Sequence, residues 1–423
     1  MYDLILENGY CVFPDKVEKA NIAIKDGIIK LITDHQITNP AKKVIDIRGK
    51  HIIPGVIDTQ VHFRDPGFPD KETLRTGLTA ALQGGVTCVF DMPNTKPATI
   101  NSIELQKKID TADQVNLIDS YFFIGATSDN LQDIIEAEKN PRCCGIKIFL
   151  GSSTGNLLLN DPRVLKQIFL NTKKPIAIHS EDEEILKERI EIRNNSKDPI
   201  DHPIWRNVES ALSSTKMIIN LARECNRKLH ILHITTKEEM EFLNKNKDIC
   251  TVEVTPQHLT LSSPECYQTL GTYAQMNPPI REKVHQDALW IGIENNTVDV
   301  IGSDHAPHTK EEKDKGYPKS PSGMPGVQTT LPVMLNHVND KKLTLSRLVQ
   351  LLCENPAKIY SLDKIGKIQE GFWANLNVLD LDQDWTINSS WIKYKCGWSP
   401  FNNKKIKGKI SHTFFKGLEH KLS

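Results

Sequence analysis

The sequence predicts an α/β fold, a (β/α)8 TIM barrel with a small β-sandwich domain formed by both chain ends. Three observations predict it. Eight short apolar runs, at residues 52–58, 87–94, 117–125, 145–151, 175–180, 228–235, 250–255 and 298–303, alternate with charged segments of helical texture. Each run is followed by a polar or ionisable cluster, as barrel strands are where they open onto the functional face. The first fifty residues and those after about residue 366 carry a different texture of short strands and turns.

At the N-terminus, β-like runs at 4–6, 23–24, 28–32 and 44–47 are separated by turn dipeptides such as Asn8-Gly9 and Asp26-Gly27, which is hairpin chemistry. The β texture returns at 371–379 and 409–415. The two terminal units are therefore expected to pack as one composite β-sandwich over residues 1–51 and 367–423, with the barrel over 52–366. Eight alternations of strand and helix suit a closed barrel better than a doubly wound sheet.

A chain of 423 residues holds one large domain and a smaller one. Fifty-three basic and fifty-three acidic side chains cancel, so overall charge favours neither nucleic acid nor an anionic membrane and points to a small-molecule substrate. Nine cysteines, an odd number without CxxC spacing, argue for reduced thiols and no disulfides. The acidic N-terminus lacks the basic region of a signal peptide, and no run approaches about 18 apolar residues. The expected location is the cytoplasm.

Gln60, His62, Asn94, Lys147, His179, His233 and Asp304 all lie at predicted strand ends. Residues 60 and 62 point to the same side of a strand, and Gln60 stands where a second metal-binding histidine is expected. A lone histidine at a strand end is commonly structural. Three histidines and an aspartate from four strand ends of one barrel are the ligand types of a catalytic zinc-like site. Lys147, in an otherwise apolar strand, carries a large desolvation penalty and reads as a functional group or as a buried ion pair, for example with Asp304. His305 alternates away from Asp304 and is expected to pack behind the barrel. His258 could orient a ligand, and Ser153 with Thr154 could form a loop closing over substrate.

The whole chain resembles the amidohydrolase superfamily and, within it, the dihydroorotases. The residues that carry the resemblance are Pro-Gly-Val-Ile-Asp-x-x-Val-His-Phe-Arg-Asp-Pro-Gly, Asp-Met-Pro-Asn-Thr, Gly-Ile-Lys-Ile-Phe, Met-Asn-Pro-Pro-Ile-Arg and Ser-Asp-His-Ala-Pro-His. The resemblance implies that Lys147 is carboxylated to a carbamate bridging two zinc ions, with His179 and His233 on one and His62 and Asp304 on the other. Gln60 departs from the family's His-x-His pattern, and an amide oxygen is a poorer zinc ligand than imidazole, so one ion or a weakly held second is implied.

The same resemblance implies a substrate, dihydroorotate or its ring-opened partner N-carbamoyl-aspartate, and a place in pyrimidine (UMP) synthesis. By resemblance Arg64, Asn94 and His308 bind the substrate carboxylate, and Asn277 with the backbone near Ser322 and Gly323 contacts the ring. Arg64 suits a carboxylate because a planar guanidinium offers five donors. Taken alone, Asn94 and Asn277 could make Asx-turns and Arg64 could pair with Asp65 at the surface. A bound metal lowers the pKa of water from about 15.7 towards 7, and Asp304 is the expected general base. Two alternatives stay open: a catalytically silent scaffold for aspartate transcarbamoylase, and a hydantoinase- or allantoinase-type enzyme acting on an uncharged ring, in which an arginine at position 64 is not expected. A homodimer is equally compatible.

Overall fold

The computed structural model describes residues 1–152 and 157–421. In chain order its strands are β1 (Tyr2–Val12), β2 (Val17–Lys25), β3 (Ile28–Thr33), β4 (Ala41–Asp46) and β5 (His51–Pro54). The barrel strands follow: β6 (Val56–Val61), β7 (Val86–Asp91), β8 (Asp119–Gly125), β9 (Cys143–Phe149), β10 (Ile176–His179), β11 (Leu229–Ile231), β12 (Cys250–Val254) and β13 (Val300–Ile301). The last strands are β14 (Leu376–Thr386), β15 (Lys405–Phe415) and β16 (Leu418–His420).

Strands from both chain ends form one continuous sheet in the order β16-β15-β14-β5-β1-β2-β3, with β4 paired to β1. Leu4, Leu6, Ile22, Ile24, Ile52, Leu376, Val378 and Phe414 share an apolar cluster there, distinct from the main barrel core. Asp26 and Gly27 both adopt left-handed backbone, φ 53° and 74°, as the tight turn between β2 and β3 requires. Asn8-Gly9 is not a turn. Strand β1 runs straight through it with a shift of register between Leu6 and Gly9, and the Asn21 side chain accepts from the Asn8 N–H.

The expected first barrel run, 52–58, is split between the two sheets. Residues up to Pro54 pair with β14, and the barrel begins at Val56. Gly55 is the joint: its N–H bonds to Asn375 O at 2.7 Å, and a Cβ there would lie 2.2 Å from Thr87 Oγ1. Hydrophobicity did not mark the change because the run is buried in both sheets.

The barrel strands form parallel pairs in sequence order from β6 to β13. Every residue of β6, β7, β9 and β10 is buried, as strands covered on both faces are. Among the described residues the barrel closes through a single parallel bridge, Val61 to His305, where the His62 N–H donates to His305 O at 2.8 Å. β11 and β13 are shorter than their apolar runs because the chain leaves the ladder: His233 and Asp304 adopt φ 37° and 43°. All nine cysteines are free thiols. Among the described residues no helix is long and apolar enough to cross a membrane.

Candidate active site

The ends of β6, β7, β9, β10, β11 and β13 surround one pocket, which His62, Arg64, Asn94, His179, His233, Asn277, Asp304, Ser322 and Gly323 line together with Gln60, Phe149 and Ala306. Lys147 and His308 are fully buried beside it, with Lys147 Nζ 4.4 Å from the centre of the Phe149 ring. Three of these residues, Arg64 (φ 60°), His233 and Asp304, hold left-handed backbone, which costs a side-chain-bearing residue about 1–3 kcal/mol and concentrates at functional sites. The sequence-predicted loop residues Ser153 and Thr154 lie outside the described residues.

Two pairs of donors face each other across the pocket. His179 Nε2 donates to Glu181 Oε2 at 2.9 Å, which leaves the lone pair on Nδ1, 3.1 Å from His233 Nε2. Burial would raise the Glu181 carboxyl, but Arg206, whose Nε lies 3.0 Å from Glu181 Oε1, and His179 overcome it and hold the group well below the usual carboxylate range. Burial keeps His179 and His233 below the ordinary histidine value, so both are neutral, and His233 Nδ1 has no partner among the described residues. In the second pair, His62 Nδ1 donates to Asn94 Oδ1 at 2.6 Å, since an amide oxygen only accepts. That turns His62 Nε2 toward Asp304 Oδ1, 3.1 Å away. Gln60 Nε2 donates to the same Asp304 oxygen at 2.9 Å, while Gln60 Oε1 is buried without a partner among the described residues.

Lys147 is fully buried and among the described residues its Nζ has no hydrogen-bond partner, so the ion pair with Asp304 is not formed. Burial pushes its pKa down to about 7 against the opposing pull of Asp304 and Glu253. Protonated and neutral forms of the lysine are therefore both accessible near neutral pH.

Arg64 is 2% exposed and is no surface ion pair: Asp65 instead accepts from the Leu74 N–H. Its Nε lies 3.3 Å from Pro307 O and its Nη2 3.4 Å from His308 Nε2, and among the described residues no carboxylate stands within ion-pair distance. Burial lowers it to about 10. Lys71 Nζ, itself paired with Glu312, approaches His308 Nδ1 at 3.2 Å. Asn277 Oδ1 accepts from His202 Nε2 at 3.0 Å, and Lys313 Nζ donates to Pro321 O at 2.7 Å and Gly323 O at 3.3 Å, which ties down the loop carrying Ser322 and Gly323. His258 Nε2 donates to Pro278 O at 3.0 Å, so it orients the Asn277 segment, and His305 packs against Phe63 and Tyr394 away from the pocket.

Among the described residues no three His, Cys, Asp or Glu side chains converge as a ready metal site. The donors come as two pairs, and the residues that could complete them are Lys147 and Gln60. The His179–His233 pair suits a divalent ion: two neutral imidazoles, one oriented by a carboxylate, beside an unpartnered lysine whose charge both histidines feel. The His62–Asp304 pair suits one less well, because Gln60 turns an N–H toward it. Glu181 and Arg206 escaped sequence reasoning. Glu181 follows His179 by two residues, the same spacing that links Gln60 to His62, and that spacing was its signal; Arg206 arrives from a distant helix end and had none.

Residues 162–418 match the family model for the amidohydrolase family, and residues 49–141 match one described as dihydro-orotase-like. A dihydroorotase of Methanosphaera stadtmanae is 34% identical, with 99% of this chain and 96% of the relative covered. An allantoinase of Desulfitobacterium hafniense is 32% identical over 98% and 94% of the two chains. Among solved structures, the L-hydantoinase (dihydropyrimidinase) from Arthrobacter aurescens superposes with a TM-score of 0.95 at 28% identity, covering 99% of this chain and 96% of that one. With a family match over more than half its length and a relative aligned along nearly all of it, the chain belongs to the amidohydrolase family of enzymes.

Proposed function

We propose that the protein is a dihydroorotase, which interconverts (S)-dihydroorotate and N-carbamoyl-L-aspartate in de novo pyrimidine synthesis. One observation carries the reading: Arg64 presents a buried guanidinium beside the pocket with no carboxylate partner among the described residues, and dihydroorotate brings a carboxylate. Arg64 with His308 binds that carboxylate, Asn94 supports it while orienting His62, and Asn277 with the Ser322–Gly323 backbone contacts the ring.

His179 and His233 hold a zinc-type ion, with Lys147 completing the site as a carbamate. Lys147 is suited to that modification because only a neutral amine adds carbon dioxide, forming the N–C bond and releasing a proton, and burial brings its pKa down to about 7. When bound, the ion supplies an activated water and polarises the amide carbonyl. Asp304 takes the water's proton and delivers it to the ring nitrogen that departs. Glu181 fixes the tautomer of His179. Glu181→Ala is expected to weaken zinc binding by about 10- to 100-fold, measured by competition with a chelator; unchanged affinity would remove Glu181 from the metal site.

A second reading, an allantoinase- or hydantoinase-type enzyme, is favoured by the similarity to the allantoinase and to the L-hydantoinase. The discriminating experiment compares kcat/KM on dihydroorotate, dihydrouracil, hydantoin and allantoin with full-length protein supplied with zinc and bicarbonate. Dihydroorotate is expected to lead by about 100-fold or more, the scale on which a site built for a charged group rejects an analogue lacking it. An uncharged ring turned over as fast overturns the dihydroorotase reading, and silence on all four would favour the scaffold that accompanies aspartate transcarbamoylase.

A further inference from the structure

We propose that Gln60 is a positioning residue: its side-chain amide anchors the Asp304 carboxylate across the seam of the barrel, and in doing so leaves the His62–Asp304 side without the ligand that a second ion needs, so that the centre carries one ion.

Asp304 stands where the barrel is least well tied. It follows β13, a strand of two residues, and the closure onto β6 is a bridge at one residue pair, Val61 to His305, in place of a ladder. Its own backbone is left-handed, so the regular pleat of a strand does not set the direction of its side chain. That direction is fixed from β6. Gln60 and His62, two residues apart and on the same side of the strand, both reach Asp304 Oδ1, at 2.9 and 3.1 Å. Around them Ser303 N–H bonds to Asp58 Oδ1 at 3.0 Å and Ser303 Oγ to Gln60 O at 3.3 Å, further ties between the same two strands.

The orientation of the Gln60 amide follows from charge. Its oxygen against the Asp304 carboxylate would set two acceptors together, so the N–H turns to the carboxylate, although Oε1 is then buried without a partner among the described residues. An amide N–H has no lone pair for a metal, and the amide oxygen is a poor substitute for the imidazole that binds zinc. A residue 1% exposed in a fully buried strand has little room to turn otherwise.

The inference rests on the metal centre of the proposed function, and its test has an arm that needs no substrate. Full-length wild type, Gln60→His and Gln60→Leu are loaded with zinc and bicarbonate, and the bound zinc is counted alongside the melting temperature and the kcat and KM for dihydroorotate. Wild type is expected to hold about one zinc per chain and Gln60→His to approach two. Gln60→Leu is expected to keep one zinc and the wild-type melting behaviour but lose about tenfold or more in kcat, with KM changed less than about twofold, because a base displaced by a fraction of an ångström is a poorer base. Two zinc ions in wild type, one in folded Gln60→His, or an unchanged kcat in Gln60→Leu would each overturn the proposal. Should dihydroorotate prove not to be the substrate, the zinc counts still decide it.

Discussion

Asp304→Asn is expected to lower kcat for dihydroorotate by more than about a hundredfold, which is about 2.7 kcal/mol of lost transition-state stabilisation. The substitution keeps the volume of the side chain and an oxygen that can still accept from Gln60, so the seam of the barrel is preserved. What it removes is the basic oxygen. Asp304 Oδ1 accepts from Gln60 and faces His62 Nε2, and Oδ2 makes neither of these contacts, which leaves it as the atom that receives a proton from water and returns it to the leaving nitrogen. The loss should therefore fall on kcat and appear equally in ring opening and in ring closure, since one group serves both directions. Steady-state rates in the two directions, with circular dichroism as the control for folding, check this. Activity within tenfold of wild type would remove Asp304 from proton transfer.

Much of this site was legible in the sequence because a barrel strand buried on both faces is a continuous apolar run, and a polar residue that ends such a run stands out. His62, His179, His233 and Asp304 were visible in that way, and the structure brings them to one pocket. Lys147 stood out for the opposite reason, as a charge inside a run. What failed to show was whatever depends on a partner far along the chain. Ile52 to Pro54 and Val56 onward read as one strand, although they belong to two sheets that meet at Gly55. Asn8-Gly9 carries the composition of a turn, yet β1 absorbs it as a bulge because pairing with β2 continues on both sides. Lys313 sits in the charged stretch Lys310 to Lys315, where nothing in the local sequence sets it apart. It is in fact fully buried, with backbone carbonyls as its partners, and its pKa is lowered by burial to about 7. Arg206 likewise gains its meaning only from Glu181, twenty-five residues away.

Arg64→Met is expected to raise KM for dihydroorotate steeply and to leave the fold as stable as before, a combination that separates a binding residue from a structural one. A buried cation with no anionic neighbour in ion-pair range contributes little to stability, because its desolvation is not repaid. Burial already pulls the Arg64 pKa down to about 10, and its nearest acceptors, Pro307 O and His308 Nε2, stand at the long end of hydrogen bonding. Replacing it with an apolar side chain of similar length removes that cost, so the melting temperature of Arg64→Met should not fall below that of wild type. Binding behaves in the opposite sense. Removing one partner of a buried charge pair costs about 2–5 kcal/mol, or roughly 30-fold to several thousandfold in kcat/KM for dihydroorotate. Arg64→Lys keeps the charge but loses the planar fork, and should fall between the two. Dihydrouracil, which has no carboxylate, should be indifferent to all three side chains, so the preference for the charged ring collapses by the same factor. Equal losses on both substrates, or a melting temperature several degrees lower in Arg64→Met, would mean that the guanidinium holds the loop after β6 and does not read the substrate.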